Sequence, residues 1–235
     1  MNLKEKTILI TGASDGIGKQ IAISLAVENT KLILIWRNTE KLKDTQKLVL
    51  SAWANKAEIY SCDVSDNNAI RTTLSQINQD FESIDVLINN AGIWQKLMPL
   101  EQISQDTIQN VIQTNLTGLI NMTQAVLPIL KKQSEAAIIN ISSKAWIVGQ
   151  QWLSVYNASK FWVTGFTEAL KLDLKGTRVR VAGIYQAGIN TKMFENTWED
   201  FPVEKFSEPE DLASVVKFML MQPAKIWLHD VRVEY

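Results

Sequence analysis

Short apolar runs rich in β-branched residues alternate along this chain with longer amphipathic stretches. The runs fall at 7–11 (TILIT), 31–36 (KLILIW), 57–61 (AEIYS), 86–90 (VLINN), 136–142 (AAIINIS) and 178–185 (RVRVAGIY). None alternates cleanly, so they predict strands covered on both faces, as in a parallel sheet. A last run, 225–235 (KIWLHDVRVEY), does alternate and predicts an edge strand. Helical periodicity covers 16–28, 39–53, 66–81, 104–131, 154–175 and 208–221. Strand and helix in turn predict stacked β-α units, an α/β doubly wound fold in three layers, α/β/α. Glu208, Pro209, Glu210 and Asp211 suit the start of the last helix, with proline early and acids at the positive end of the dipole. No repeat, low-complexity tract or linker interrupts the pattern, which predicts one domain over 1–235.

Composition narrows the function. Lys and Arg number 24 against 25 Asp and Glu, a net charge of -1. Nucleic acid and anionic membrane surfaces both ask for a concentrated positive face, so neither is expected as a partner. Cys62 is the single cysteine and His229 the single histidine. That excludes an intrachain disulfide framework, suits a reducing, cytoplasmic setting, and leaves little material for a metal site or Ser-His-Asp hydrolysis. No apolar run approaches the ~20 residues of a membrane span, and the start, MNLKEKTILITG, is too short in apolar residues for a signal peptide.

The first strand runs into TGASDGIG, residues 11–18, and then into a helix. Gly12, Gly16 and Gly18 remove side chains that would keep a backbone off a pyrophosphate, and the helix start offers N–H groups to an anion. A tight turn that binds nothing is the plain alternative, since the spacing is not G-x-G-x-x-G. At the end of the second strand, positions 35–38 carry no acid to accept from a ribose hydroxyl. Arg37 can hold a 2′-phosphate instead, which favours NADP(H) and leaves NAD(H) as the alternative, with Trp36 near the adenine. A solvated charge at a strand end is the competing reading of Arg37. Asp63 is placed to accept from the adenine amino group or from backbone, with helix capping in competition.

Tyr156 and Lys160 stand one helical turn apart, so phenol and ammonium share a face, and the cation is expected to lower the phenol pKa. Ser143 ends the fifth strand, where a hydroxyl can hold a carbonyl oxygen while hydride arrives. Asn115 interrupts the long fourth helix against its propensity. A side-chain-to-backbone bond that bends the helix would account for it equally well.

The glycine turn, Asp63, the Asn89–Gly92 turn (NNAG), Asn115, Ser143 and Tyr156-x-x-x-Lys160 occur in the order and spacing of the compact short-chain dehydrogenases/reductases, and the chain resembles that family over nearly its whole length. The resemblance implies a Rossmann-type, seven-stranded parallel sheet and hydride transfer between a nicotinamide and a carbonyl or alcohol. Tyr156 would be the general acid, Ser143 would bond the same oxygen, Lys160 would bond the nicotinamide ribose, and Asn115 would hold a water linking the lysine to solvent. Cofactor contacts implied are Gly12, Ser14, Asp15, Gly16, Ile17 and Gly18, Arg37, Asp63 and Val64, Asn90, Ala91 and Gly92, Tyr156 and Lys160, and Ile189 and Thr191. A homodimer or homotetramer is implied as well, with Trp162 on the catalytic helix read as core or subunit contact.

One segment departs from the family. Where it carries Pro-Gly and then, after three residues, Thr, this chain reads Gln186, Ala187, Gly188, Ile189, Asn190, Thr191, which puts the seating of the nicotinamide ring in question. Residues 186–207 lack a period but carry Phe194, Trp198, Phe201 and Phe206, which predicts either a lid over a ligand or a surface loop pinned by its own aromatics. Trp94, Trp146, Trp152 and Trp198 flank site positions and suggest a broad apolar pocket for a bulky ketone or aldehyde, with core packing as the alternative. The reading is an NADP-preferring carbonyl reductase or alcohol dehydrogenase. Its rivals are a specialised ketoacyl, steroid or pteridine reductase, a redox-silent dinucleotide sensor or scaffold, and last an extended sugar-nucleotide epimerase.

Overall fold

In the computed structural model of the chain, the strands are Thr7–Thr11 (β1), Lys31–Trp36 (β2), Lys56–Ser61 (β3), Val86–Asn89 (β4), Ala136–Ile141 (β5), Val179–Gln186 (β6) and Asp230–Val233 (β7). They pair in parallel as one seven-stranded sheet in the order β3-β2-β1-β4-β5-β6-β7. The structure describes residues 1–193, 202–223 and 225–234, with Trp146 described by its backbone alone. Helices Gly16–Ala26 (α1), Thr39–Ser51 (α2), Asn67–Asp80 (α3), Gln105–Ile112 (α4), Gly118–Leu130 (α5), Ser154–Asp173 (α6) and Pro209–Met221 (α7) cover the sheet.

Successive side chains of a strand point to opposite faces, and that alternation builds two cores. Ile8 and Ile10 of β1 pack with Leu25 of α1 and Val216 of α7 on one side. Leu9, between them, packs with Ile70 of α3 and Val126 of α5 on the other. Both faces of the central strands are therefore apolar, which is why those runs show no period of two.

Two expectations need correcting. The helix expected over 104–131 is α4, a π-helical turn at Gln113–Thr117, and α5. The extra residue lets Asn115 leave its own helix and bond a neighbouring loop, a common use of π turns at functional sites. The edge strand expected over 225–235 shrinks to the four residues of β7. At the start of α7, the Glu208 N–H donates to Asp211 Oδ2 at 3.0 Å, so the acidic opening does cap the helix. The strand order reverses between β1 and β4, and the crevice outside their carboxyl ends is where such sheets bind ligands.

Candidate active site

A cavity of about 960 Å³ fills that crevice. Its floor at one end is the glycine turn. Gly12 has φ +70°, and a Cβ there would lie 2.8 Å from Asn90 Nδ2 and 2.9 Å from Ala91 Cα, so no larger residue fits. Asn90 fastens the two loops: its Nδ2 donates to the carbonyls of Thr11 and Gly12 at 3.0 and 3.1 Å. Thr11 Oγ1 accepts from the N–H groups of Asn90 and Ala91, each at 3.0 Å. Ser14, Asp15, Gly16 and Ile17 line the cavity at the positive end of α1, with Asp15 as N-cap accepting from Gly16 N at 2.9 Å. Gly18 does not line it: a Cβ there would overlap the Gly12 carbonyl oxygen, so this glycine lets α1 pack on the turn rather than touching a ligand.

The adenosine end is set by β2 and β3. Arg37 NH1 lies 3.8 Å from Asp63 Oδ2, with both side chains about half exposed, and the guanidinium sits 5.3 Å from the Trp36 ring centroid. Arg37, Asp63 and Val64 wall a smaller depression that shares Gly12 and Ala91 with the main cavity. Asp63 does not cap α3. It closes a local turn by accepting from Ser65 N and Oγ at 2.9 and 2.7 Å, while Asp66 is the cap. Lys41, on the first turn of α2, also lines the cavity and was missed from sequence, where it reads as part of a solvated helix face.

At the other end stand Ser143, which follows β5, and Tyr156 and Lys160 on α6; all three line the cavity. Tyr156 and Lys160 are buried, at 6% and 7% exposure. Burial pushes the Tyr156 phenol up to about 12, with a hydrogen bond to the Ser143 hydroxyl acting against it. Burial also brings the Lys160 ammonium down to about 8. The expected lowering of the phenol by its neighbouring cation is thus overturned. Desolvation outweighs the attraction, with Nζ 5.8 Å from the ring centroid. At neutral pH the phenol keeps its proton, and roughly nine-tenths of the lysine remains charged.

Asn115 is buried behind this pair rather than in the cavity wall. Its Oδ1 accepts from Ile93 N at 2.8 Å, and its Nδ2 donates to Ile93 O at 3.0 Å and Ser159 Oγ at 3.3 Å. Gly92 lies beside it: a Cβ there would sit 3.4 Å from Asn115 Oδ1 and 3.8 Å from Lys160 Nζ, ordinary contact distances, so packing against Asn115 does not by itself require a glycine.

The segment that lacks Pro-Gly is nonetheless fastened. Ala187 N donates to Val233 O at 2.8 Å, and Asn190 N donates to Ser207 O at 2.9 Å. Ile189 is buried, Thr191 packs against Gly16, and Lys192 pairs with Asp15 at 3.2 Å, so this stretch closes over the glycine turn. Gln186 lines the cavity, with its Oε1 buried and without a hydrogen-bond partner among the described residues. Of the expected lid, Phe206 lines the cavity, while Phe194, Trp198 and Phe201 lie outside the described residues. Trp94 lines the wall with its ring centroid 4.6 Å from that of Tyr156. Trp152 is half exposed and off the cavity, and Trp162 lies on the outer face of α6 at 62% exposure, so it is not core within this chain. Sequence reasoning missed Gln95 altogether, a buried loop residue whose amide bonds the start of α6.

Crevices where a parallel sheet reverses its strand order hold nucleotides, and a buried phenol with a lysine one turn on suits such a crevice to proton-coupled redox chemistry. The chain belongs to the short chain dehydrogenases, a family of oxidoreductases whose model matches residues 6–201. It is 33% identical to the 3-oxoacyl-(acyl-carrier-protein) reductase of Thermotoga maritima, over 93% of this chain and 92% of the relative. It is 34% identical to the NADP-dependent 3-hydroxy acid dehydrogenase of Schizosaccharomyces pombe, over 98% and 93%. A solved metagenomic short-chain oxidoreductase in complex with NADP superposes with a TM-score of 0.86 at 27% identity, covering 100% of this chain and 98% of that one. Among the described residues no helix is long and apolar enough to cross a membrane.

Proposed function

We propose that this chain is a single catalytic domain that reduces a ketone or aldehyde to an alcohol with NADPH. The observation that carries the proposal is that Ser143, Tyr156 and Lys160 stand together in the wall of the cavity that also runs over the glycine turn. A substrate oxygen placed between the two hydroxyls takes a hydrogen bond from Ser143 and the proton from Tyr156. The raised phenol pKa suits this direction, because the acid is fully protonated before the reaction and becomes a strong donor only when charge develops beside it. Lys160 stabilises the phenolate left behind, and Asn115 fixes the loop at Ile93 that faces it. A nicotinamide at this position would supply hydride to the carbonyl carbon.

The dinucleotide fits this cavity, since Gly12 and Gly16 leave room for a pyrophosphate at the positive end of α1. Ser14, Asp15, Ile17, Asn90, Ala91, Gly92, Ile189 and Thr191 would line its path. Arg37 and Lys41 supply two cations at the adenosine end for a 2′-phosphate, and the fission-yeast relative is named for NADP. At the substrate end, Trp94 offers an apolar face and Lys96 a charge, which favours a carbonyl compound carrying an acid group, in line with the relatives named for 3-oxoacyl and 3-hydroxy acid chemistry. The exposed Phe161 and Trp162 on α6 support a homodimer or homotetramer, and the lone buried thiol of Cys62 suits the cytoplasm.

The reading is tested by mixing the purified protein with NADPH and a panel of ketones, aldehydes and oxo acids while following the loss of nicotinamide absorbance. Turnover that vanishes in Tyr156→Phe supports it; a wild type that binds NADPH but reduces nothing in the panel points to the redox-silent rival.

A further inference from the structure

The backbone that launches α6 has no cap of its own, because Leu153 stands at the N-cap position and makes no side-chain hydrogen bond. Just before it, Trp152 is held at φ +63°, a left-handed conformation that a bulky residue keeps only when its surroundings enforce it. Both deficits are met from another part of the chain. Gln95, at 1% exposure, accepts with Oε1 from the N–H groups of Val155 at 3.1 Å and Tyr156 at 2.9 Å. Its Nε2 donates to Trp152 O at 2.8 Å, an oxygen that also accepts from Met98 N at 3.2 Å. First-turn N–H groups find no partner inside their own helix, and here one of those groups belongs to Tyr156 itself.

Gln95 follows the Asn90–Gly92 turn that lines the cavity, and its loop is anchored at Ile93 by Asn115. We propose that Gln95 is a positioning residue that locks the cavity loop to the first turn of α6, so that the Tyr156 phenol stays within reach of the Ser143 hydroxyl. A carboxamide suits the place because one end must accept from two N–H groups while the other donates to a carbonyl. The inference rests on Tyr156 being the proton donor.

The test compares full-length wild type with Gln95→Leu, which removes the bonds to Val155, Tyr156 and Trp152 together with a long one to Lys96 O at 3.4 Å, and Gln95→Glu, which keeps the accepting oxygen and loses the donor. Gln95→Met, of equal length and more forgiving in packing, replaces the leucine variant if that one fails to fold. Amide exchange at Val155 and Tyr156 is expected to quicken by about tenfold in the apolar variant, as for a lost N-cap. The kcat should fall by about tenfold or more while the Kd for NADPH, read by fluorescence, stays within about twofold, as expected when geometry at the reacting atoms is lost. Gln95→Glu should fall between wild type and the apolar variant, because it keeps the oxygen that accepts from Val155 and Tyr156 but sets a second oxygen against the Trp152 carbonyl. Unchanged exchange in the apolar variant, or a Kd that worsens in step with kcat, overturns the proposal. Wild type that turns nothing over refutes the reductase reading instead, and the exchange comparison then decides the role of Gln95 by itself.

Discussion

Replacing Lys160 by methionine is expected to stabilise the protein free of cofactor while abolishing its activity. The ammonium is buried, its one hydrogen bond is to Ile141 O at a long 3.4 Å, and no carboxylate pairs with it among the described residues. Burial lowers its pKa from 10.5 to about 8. Every tenfold loss of proton affinity corresponds to about 1.4 kcal/mol, so keeping the charge inside costs about 3 kcal/mol at neutral pH, a ceiling that water entering the open cavity will reduce. Methionine matches the length of the stem and carries no charge, so a gain of about 1–3 kcal/mol is expected at pH 7.

The pH dependence gives the sharper check. Between about 8 and 10.5 the unfolded chain binds the lysine proton more tightly than the folded one, so wild type gains stability as pH rises through that window. Urea unfolding of wild type and Lys160→Met at several pH values between 6.5 and 10.5 should show the advantage of the variant largest at the acid end and shrinking toward zero at the alkaline end. A variant less stable than wild type at pH 7, or a difference that does not change with pH, refutes the argument that an unsatisfied charge is stored at this position.

Tyr156→Phe should lower kcat by about 10²–10⁴-fold while NADPH binding measured by fluorescence is nearly unchanged; activity equal to wild type removes the phenol from the mechanism. In the reduction direction, kcat should hold across neutral pH and decline only at alkaline pH, since the phenol stays protonated up to about 12 and the Lys160 charge is lost from about 8. Arg37→Ala should weaken NADPH by about tenfold and NADH hardly at all, the low end for a charged hydrogen bond because the side chain is half exposed and shared with Asp63; equal losses count against 2′-phosphate recognition. Asn115→Leu should destabilise the fold by about 1–3 kcal/mol in thermal unfolding, because the N–H and carbonyl of Ile93 both lose their partner.

The layered fold was legible because its signals are local. A strand covered on both faces is apolar along most of its length, and β1, β2, β4 and β5 are, with polar residues only at Thr7, Thr11, Lys31, Asn89 and Asn140, so their limits fall within a residue of the expectation. Helices between them begin at recognisable caps, such as Asn38 accepting from Glu40 N for α2 and Asp66 accepting from Asn68 N for α3. The π turn at Gln113–Thr117 was not legible, since nothing in the local pattern says that the Asn115 amide will meet Ile93 rather than its own backbone.

The candidate site divides along the same line. Glycines 12 and 16, Ser143 and the Tyr156–Lys160 pair declare themselves by spacing, because a turn or a helical face fixes their neighbours within a few residues. The pKa directions do not, because they depend on desolvation: the same phenol and ammonium one turn apart on an exposed helix would shift toward stabilising each other's charge, whereas burial at 6% and 7% exposure pushes both toward neutrality. Gln95 lies further still from what spacing can reach, in a loop without a period, yet it bonds the N–H of Tyr156, 61 residues on. Spacing along the chain thus names the groups that can react, while the groups that hold them in place come from wherever the fold leaves an orphaned N–H or carbonyl. Those are found by asking, for each unsatisfied backbone group around a reactive side chain, which distant residue answers it.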